Sequence, residues 1–122
     1  MTKGEIKKLD KIWSAKVKED ALYRCEITGK KGDECQLHPH HFITRKNRST
    51  RWYLPNGICL SAGKHTMEVV SAHGHPEWFR KQMLDIRGDK WLKDVVRQAN
   101  KVFKGTYKEV LDYLEGKTNN YC

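Results

Sequence analysis

Leu37-His38-Pro39-His40-His41-Phe42-Ile43 is the stretch on which the reading of this chain turns. It places three of the six histidines within four consecutive positions. Just before it, Cys35-Gln36-Leu37-His38 alternates as a strand does, so the histidines fall toward a strand end. Adjacent strand residues point to opposite faces. His40 and His41 can therefore serve one site only from a bulge or a strand end. Downstream, Pro55-Asn56-Gly57 reads as a turn. It leads into a second short strand, Ile58-Cys59-Leu60, and Lys64–Ala72 reads as a short helix with His65 near its start. His41 to Asn56 is fifteen positions, and Asn56 to His65 is nine.

That arrangement suits one kind of chemistry. Cleaving a phosphodiester needs a nucleophile, charge at phosphorus and help for the leaving oxygen. A divalent ion can neutralise the phosphate and the departing alkoxide. A neutral imidazole can take a proton from water near pH 7. His40 and His65 are the candidate metal ligands and His41 the candidate base. Asn56 is expected to hold the connecting loop through backbone hydrogen bonds that also orient His41; its plainer reading is a turn residue. His38 shares the face of His40 and is either a further ligand or a support. His73, eight residues after His65, would share its helix face. It is a candidate contact to metal or phosphate, or else a histidine favoured by a helix C-terminus. His75, just before Pro76, reads as a cap or turn residue.

Working outward, Thr2-Lys3-Gly4-Glu5 is a capping box. Ile6, Leu9, Trp13, Val17 and Ala21 then recur at helical spacing, giving a helix over residues 3–21. Gly29 and Gly32 punctuate two short segments between 22 and 43. Thr44 to Arg51 is polar and basic, and reads as a loop. Pro76 suits a first helical position, and the stripe Phe79, Met83, Ile86 ends at Gly88. Asp89 is expected to cap a further helix carrying Trp91, Leu92, Val95, Val96, Ala99, Val102 and Phe103. Thr106 with Glu109 opens a last helix through Leu114. Glu115 to Cys122 is polar and is expected to fray. The apolar stripes, with Trp52, Tyr53, Trp78 and Trp91, read as core.

The chain has 122 residues and a formal net charge of +9. The length fits one domain, and the charge favours a polyanionic partner. Arg45, Lys46, Arg48 and Arg51 lie between the candidate base and Asn56. They are candidate nucleic-acid contacts, although charge runs are usually solvated loops. Four cysteines, Cys25, Cys35, Cys59 and Cys122, form no C-x-x-C pair. They read as buried or free thiols, with a structural zinc site on Cys25, Cys35 and Cys59 plus a nearby histidine as the alternative. No segment is apolar enough for a membrane span. Met1-Thr2-Lys3-Gly4-Glu5 leads into charged residues rather than an apolar run, so a signal peptide is not expected. A cytoplasmic location is the default.

Taken together, these motifs resemble the HNH (ββα-metal) endonuclease superfamily. His38-Pro39-His40-His41-Phe42-Ile43-Thr44-Arg45, Thr50-Arg51-Trp52, Asn56-Gly57, Gly63-Lys64-His65 and Ser71-Ala72-His73-Gly74-His75-Pro76 look most like the phage NinG/Rap-like recombination nucleases. The likeness spans roughly residues 22–80 and leaves the flanking helices, 3–21 and 76–115, uncovered. It implies His41 as general base, His40 and His65 as metal ligands, Asn56 as the central asparagine, and Arg45 and Arg51 on phosphates. Many relatives also carry two cysteine pairs that bind a structural zinc. Cys25 fits one of those positions, but Thr28, Ser61 and Lys64 occupy the other three, so the zinc ribbon is expected to be absent.

The expected fold class is α+β: a ββα-metal module flanked by an N-terminal helix and C-terminal helices, in a single domain over 1–122. The expected function is metal-dependent DNA endonuclease activity in phage recombination or processing, in the host cytoplasm if the chain is phage-encoded. The expected cofactor is a divalent ion (Mg, Mn, Ni or Zn), with imidazoles suiting the transition ions better than Mg. DNA is the expected partner, with a homodimer or a phage protein partner also open. The rival readings are a nucleic-acid-binding module that has lost cleavage and an accessory phage packaging or assembly factor. The adjacent His40-His41 pair argues against the first, since binding alone needs no water-activating histidine.

Overall fold

The capping box at the start of the chain closes: Thr2 Oγ1 accepts the Glu5 N–H at 3.1 Å, and the Glu5 carboxylate accepts the Thr2 N–H at 2.8 Å. Helix α1 (Lys3–Asp20) follows and buries Leu9, Trp13 and Val17. We describe residues 1–68 and 71–122 from a computed structural model. Leu22 and Tyr23, both at positive φ, turn the chain out of α1. Arg24 then bridges Lys31 across the turn containing Gly29, which lies at φ 75°.

Strands β1 (Leu37–His41) and β2 (Gly57–Ser61) pair antiparallel in unbroken register, from Leu37 opposite Ser61 to His41 opposite Gly57. The first strand therefore lies further along the chain than its alternation suggested, and it contains both His40 and His41. Pro39 stands opposite Cys59. Cys59 directs its backbone groups away from β1, its N–H to the Glu26 carboxylate and its carbonyl to the Glu26 N–H. The missing N–H of Pro39 therefore costs the ladder nothing. A Cβ on Gly57 would collide with Val17 and Trp13. Glycine at this position is what allows α1 to lie so close to the sheet.

The basic stretch expected to be loop contains a single helical turn, α2 (Arg48–Arg51), capped by Asn47, whose Oδ1 accepts the Ser49 N–H at 3.0 Å. A 3₁₀ turn (Leu54–Asn56) enters β2. After β2 comes one π-helical turn, Gly63–Met67. The short helix expected over Lys64–Ala72 thus ends early, since Glu68 is extended. Positions 69 and 70 of that expected helix lie outside the described residues, and Ser71 and Ala72 are not helical.

Helix α3 (Pro76–Arg87) buries Phe79 and Met83. The Arg87 guanidinium joins Glu26 and the carbonyls of Pro55 and Gly57, tying α3 to the sheet. Helix α4 (Asp89–Ala99) starts at Asp89 rather than being capped by it, with Gly88 at φ 89° as the boundary residue. It stops before Val102 and Phe103, where Asn47 Nδ2 and Ser49 Oγ take the Ala99 carbonyl. Helix α5 (Tyr107–Leu114) is capped by Thr106, as expected, and packs on α1.

The expected fraying of the C-terminal tail does not occur. Tyr121 is only 4% exposed, and its hydroxyl lies 2.8 Å from the Ser49 carbonyl and 3.2 Å from the Trp52 N–H. Asn120 and Gln98 exchange two amide hydrogen bonds. One aromatic ring and one amide anchor a segment whose composition alone reads as solvated. The architecture is α+β: a two-stranded sheet packed among helices. Among the described residues, no helix is long and apolar enough to cross a membrane.

Candidate metal and base site

The end of β1 resolves the problem of two adjacent histidines. His40 and His41 leave the strand on opposite faces, yet both line one cleft of about 880 Å³. The His41 ring stacks on Trp13 of α1, with centroids 3.9 Å apart and planes within 10°. Its Nε2 lies 2.9 Å from the Arg51 carbonyl. A carbonyl only accepts, so Nε2 carries the proton and the Nδ1 lone pair is left available. Burial pushes the His41 pKa down, against the hydrogen bond to Arg51. The ring is therefore neutral at pH 7.

Asn56 secures this half of the site. It is fully buried. Its Oδ1 accepts the Ile43 N–H at 2.7 Å, and its Nδ2 donates to the carbonyls of Ile43 (2.9 Å) and Thr50 (3.2 Å). Its own carbonyl accepts the Phe42 N–H. One side chain thus fastens both ends of the 43–50 loop. The Thr50 carbonyl precedes the Arg51 carbonyl that holds His41, so Asn56 acts on His41 at one remove.

On the other face, His40, His65 and His73 bring one ring nitrogen each to within 4.8 Å of one another. The centroids of His40 lie 5.1 Å from His65 and 4.9 Å from His73, and His65 Nε2 lies 2.9 Å from His73 Nε2. Phe79 packs edge-on against His40. Burial, reinforced by the neighbouring imidazoles, pushes His40 down to about 3 and His65 down to about 4. Neutral imidazoles are the form that binds a metal. Nitrogens 2.0–2.1 Å from one tetrahedral ion stand about 3.4 Å apart, so modest side-chain rotations would complete the shell.

His73 joins this group by a route the spacing did not anticipate. It is not on a helix with His65. Instead the Ala72 and His73 N–H groups donate to the carbonyls of Lys64 (2.7 Å) and His65 (3.1 Å). His38 stands behind the group, with its Nδ1 3.0 Å from His65 Nδ1. His75 is the α3 cap, accepting the Trp78 N–H.

The basic candidates separate in space. Arg45 and Lys46 line the cleft, whereas Arg48 is exposed away from it. Arg51 is committed elsewhere: Asp10 binds its guanidinium through two oxygens, at 3.0 and 2.7 Å. It therefore does not present a free charge to phosphate. Its main contribution to the site is the carbonyl that holds His41. Arg80, which sequence reasoning missed, lines the cleft and lies over the Phe42 ring. Only its position one turn into α3 could have pointed to it. Asp10 is the only carboxylate among the described lining residues, and Arg51 neutralises it.

Cys25 and Cys59 are buried thiols, and all four cysteines are free. At the positions where the resemblance implies a zinc ribbon, Cys25 Sγ accepts the Thr28 N–H and Ser61 Oγ accepts the Lys64 N–H.

No protein-family model, no curated protein and no solved structure matches the chain.

Proposed function

We propose that the protein is a metal-dependent nuclease of the HNH (ββα-metal) type that hydrolyses DNA phosphodiesters, with β1, β2 and the turn at 63–67 as its ββα module. One observation carries this reading: an imidazole with a free Nδ1 lone pair shares a cationic cleft with three convergent imidazoles. An all-nitrogen donor set fits Mn²⁺, Ni²⁺ or Zn²⁺ better than Mg²⁺. Held by His40, His65 and His73, such an ion supplies Lewis-acid charge to the scissile phosphate and the departing 3′ oxygen.

The chain's own residues do the rest. His41 Nδ1 takes a proton from the attacking water. The Arg51 carbonyl fixes the His41 tautomer, and Trp13 fixes its plane. Asn56 is a positioning residue. Arg45, Lys46 and Arg80 bind the flanking phosphates, and the scarcity of carboxylates in the cleft favours a polyanion. Phage recombination or DNA processing is the biological setting suggested by the sequence resemblance.

The test uses supercoiled plasmid with Mg²⁺, Mn²⁺, Ni²⁺ or Zn²⁺. Cleavage is expected with at least one transition ion and is expected to stop with EDTA. His41→Ala should lower the rate by about 10²–10⁴-fold without loss of metal binding. Intact plasmid under every ion, with retained gel shift, would overturn the nuclease reading in favour of a binding module.

A further inference from the structure

We infer that His38 is a positioning residue of the metal centre: it accepts a hydrogen bond from His65 Nδ1–H and so keeps the His65 Nε2 lone pair turned toward the ion. The inference rests on the proposed centre of His40, His65 and His73 and assigns a role to a fourth imidazole outside it.

Both nitrogens of His65 face another ring. Nδ1 is 3.0 Å from His38 Nδ1, and Nε2 is 2.9 Å from His73 Nε2. The His38 and His65 rings meet nearly perpendicular, 85° between planes and 5.2 Å between centroids. A neutral imidazole has one N–H and one lone pair. The row His38, His65, His73 can therefore be hydrogen-bonded in two directions. If His38 donates, His65 must carry its proton on Nε2 and cannot ligate from there. If His38 accepts, His65 is protonated on Nδ1 and its Nε2 lone pair faces His40 and His73. Metal binding selects the second direction, and His38 is the group that makes it favourable.

Strand geometry puts His38 in place. It lies two residues before His40 on β1, so the two share a face. It stands outside the convergent group of three, which makes it a support rather than a fourth ligand. Metal-bound histidines usually donate their second N–H to a carboxylate, a carbonyl or water. An imidazole acceptor does that work without bringing negative charge close to a bound phosphate.

The test probes tautomers and affinity with Zn²⁺. In the zinc-loaded wild-type protein, long-range ¹H–¹⁵N correlation is expected to show His65 protonated on Nδ1 and His38 protonated on Nε2. His38→Ala should weaken Zn²⁺ binding about 10–100-fold. His38→Asn, whose Oδ1 can accept at the position of Nδ1, should restore most of it. Equal affinity in wild type and His38→Ala, or a zinc-shifted ¹⁵N resonance on His38 itself, overturns the assignment while leaving the centre standing. A wild-type protein that takes up no zinc overturns both. The tautomer measurement needs no substitution, so it decides the matter even where a variant fails to fold.

Discussion

The two sides of the cleft are built differently. The candidate base side is fixed by the fold itself: His41 lies flat on the core residue Trp13, bonds the Arg51 carbonyl, and rests on a loop fastened by Asn56. The metal side is a cluster of imidazoles that largely face one another. Its segment 63–67 is a single π-helical turn with no buried residue. The candidate base side is therefore preorganised by the fold, whereas the candidate metal side is a set of like groups that a cation would hold together.

The largest effect should come from breaking the base side. Asn56→Ala strands the Ile43 N–H and the carbonyls of Ile43 and Thr50 in a buried setting. A loss of about 3 kcal/mol in urea denaturation is expected. Zn²⁺ affinity should change far less than stability. Comparable losses in both would show that the two sides are one unit.

Next comes the metal side. A transition ion at about 100 times its Kd should raise unfolding stability by about 2.7 kcal/mol. His65→Ala should abolish that gain while leaving the metal-free protein folded. An ion-induced rise that persists in His65→Ala would separate binding from these imidazoles.

Acid offers a subtler probe. The folded-state pKa values of His40 and His65 lie near 3 and 4, below the 6.5 of the unfolded chain. The unfolded state therefore binds more protons between these limits, and stability rises with pH across them. In the metal-free protein the urea midpoint should hold above about pH 6.5 and fall as pH drops toward 4. His65→Gln should flatten that slope. An unchanged slope would show that His65 is not held neutral by burial.

The residues legible in sequence were those whose spacing is local to a motif. His40, His41, Asn56 and His65 stand around one cleft or its supporting loop, and α1, α3 and α5 follow from caps and periodicity. What escaped depended on partners far along the chain. The Arg51–Asp10 pair spans 41 positions and removes a guanidinium that the basic run had suggested was free. The Trp13–His41 stack joins a core stripe to the candidate base, and no pattern in either segment announces the other. Tyr121 overrides a polar tail with one buried ring. His73 shares no helix face with His65; backbone pairing to residues 64 and 65, not helical period, brings it in.

The smallest effect belongs to the cleft's rim. Arg80→Gln should reduce the slope of log binding constant against log salt by about 1, with stability unchanged. Arg51→Gln should instead cost stability through Asp10 and leave the slope nearly intact. The reverse pattern would place the phosphate path along α2.

Pro39 has a consequence for how the sheet behaves toward other chains. Glu26 already covers one margin of the hairpin. Along the other, Leu37, Pro39 and His41 are the β1 residues whose backbone groups turn outward, as the Cys59 geometry opposite Pro39 requires. The middle of that row has no proton to offer. A stray extended peptide looking for a template finds a gap in the ladder, so the flank leading to the histidines resists the β-addition that seeds aggregates.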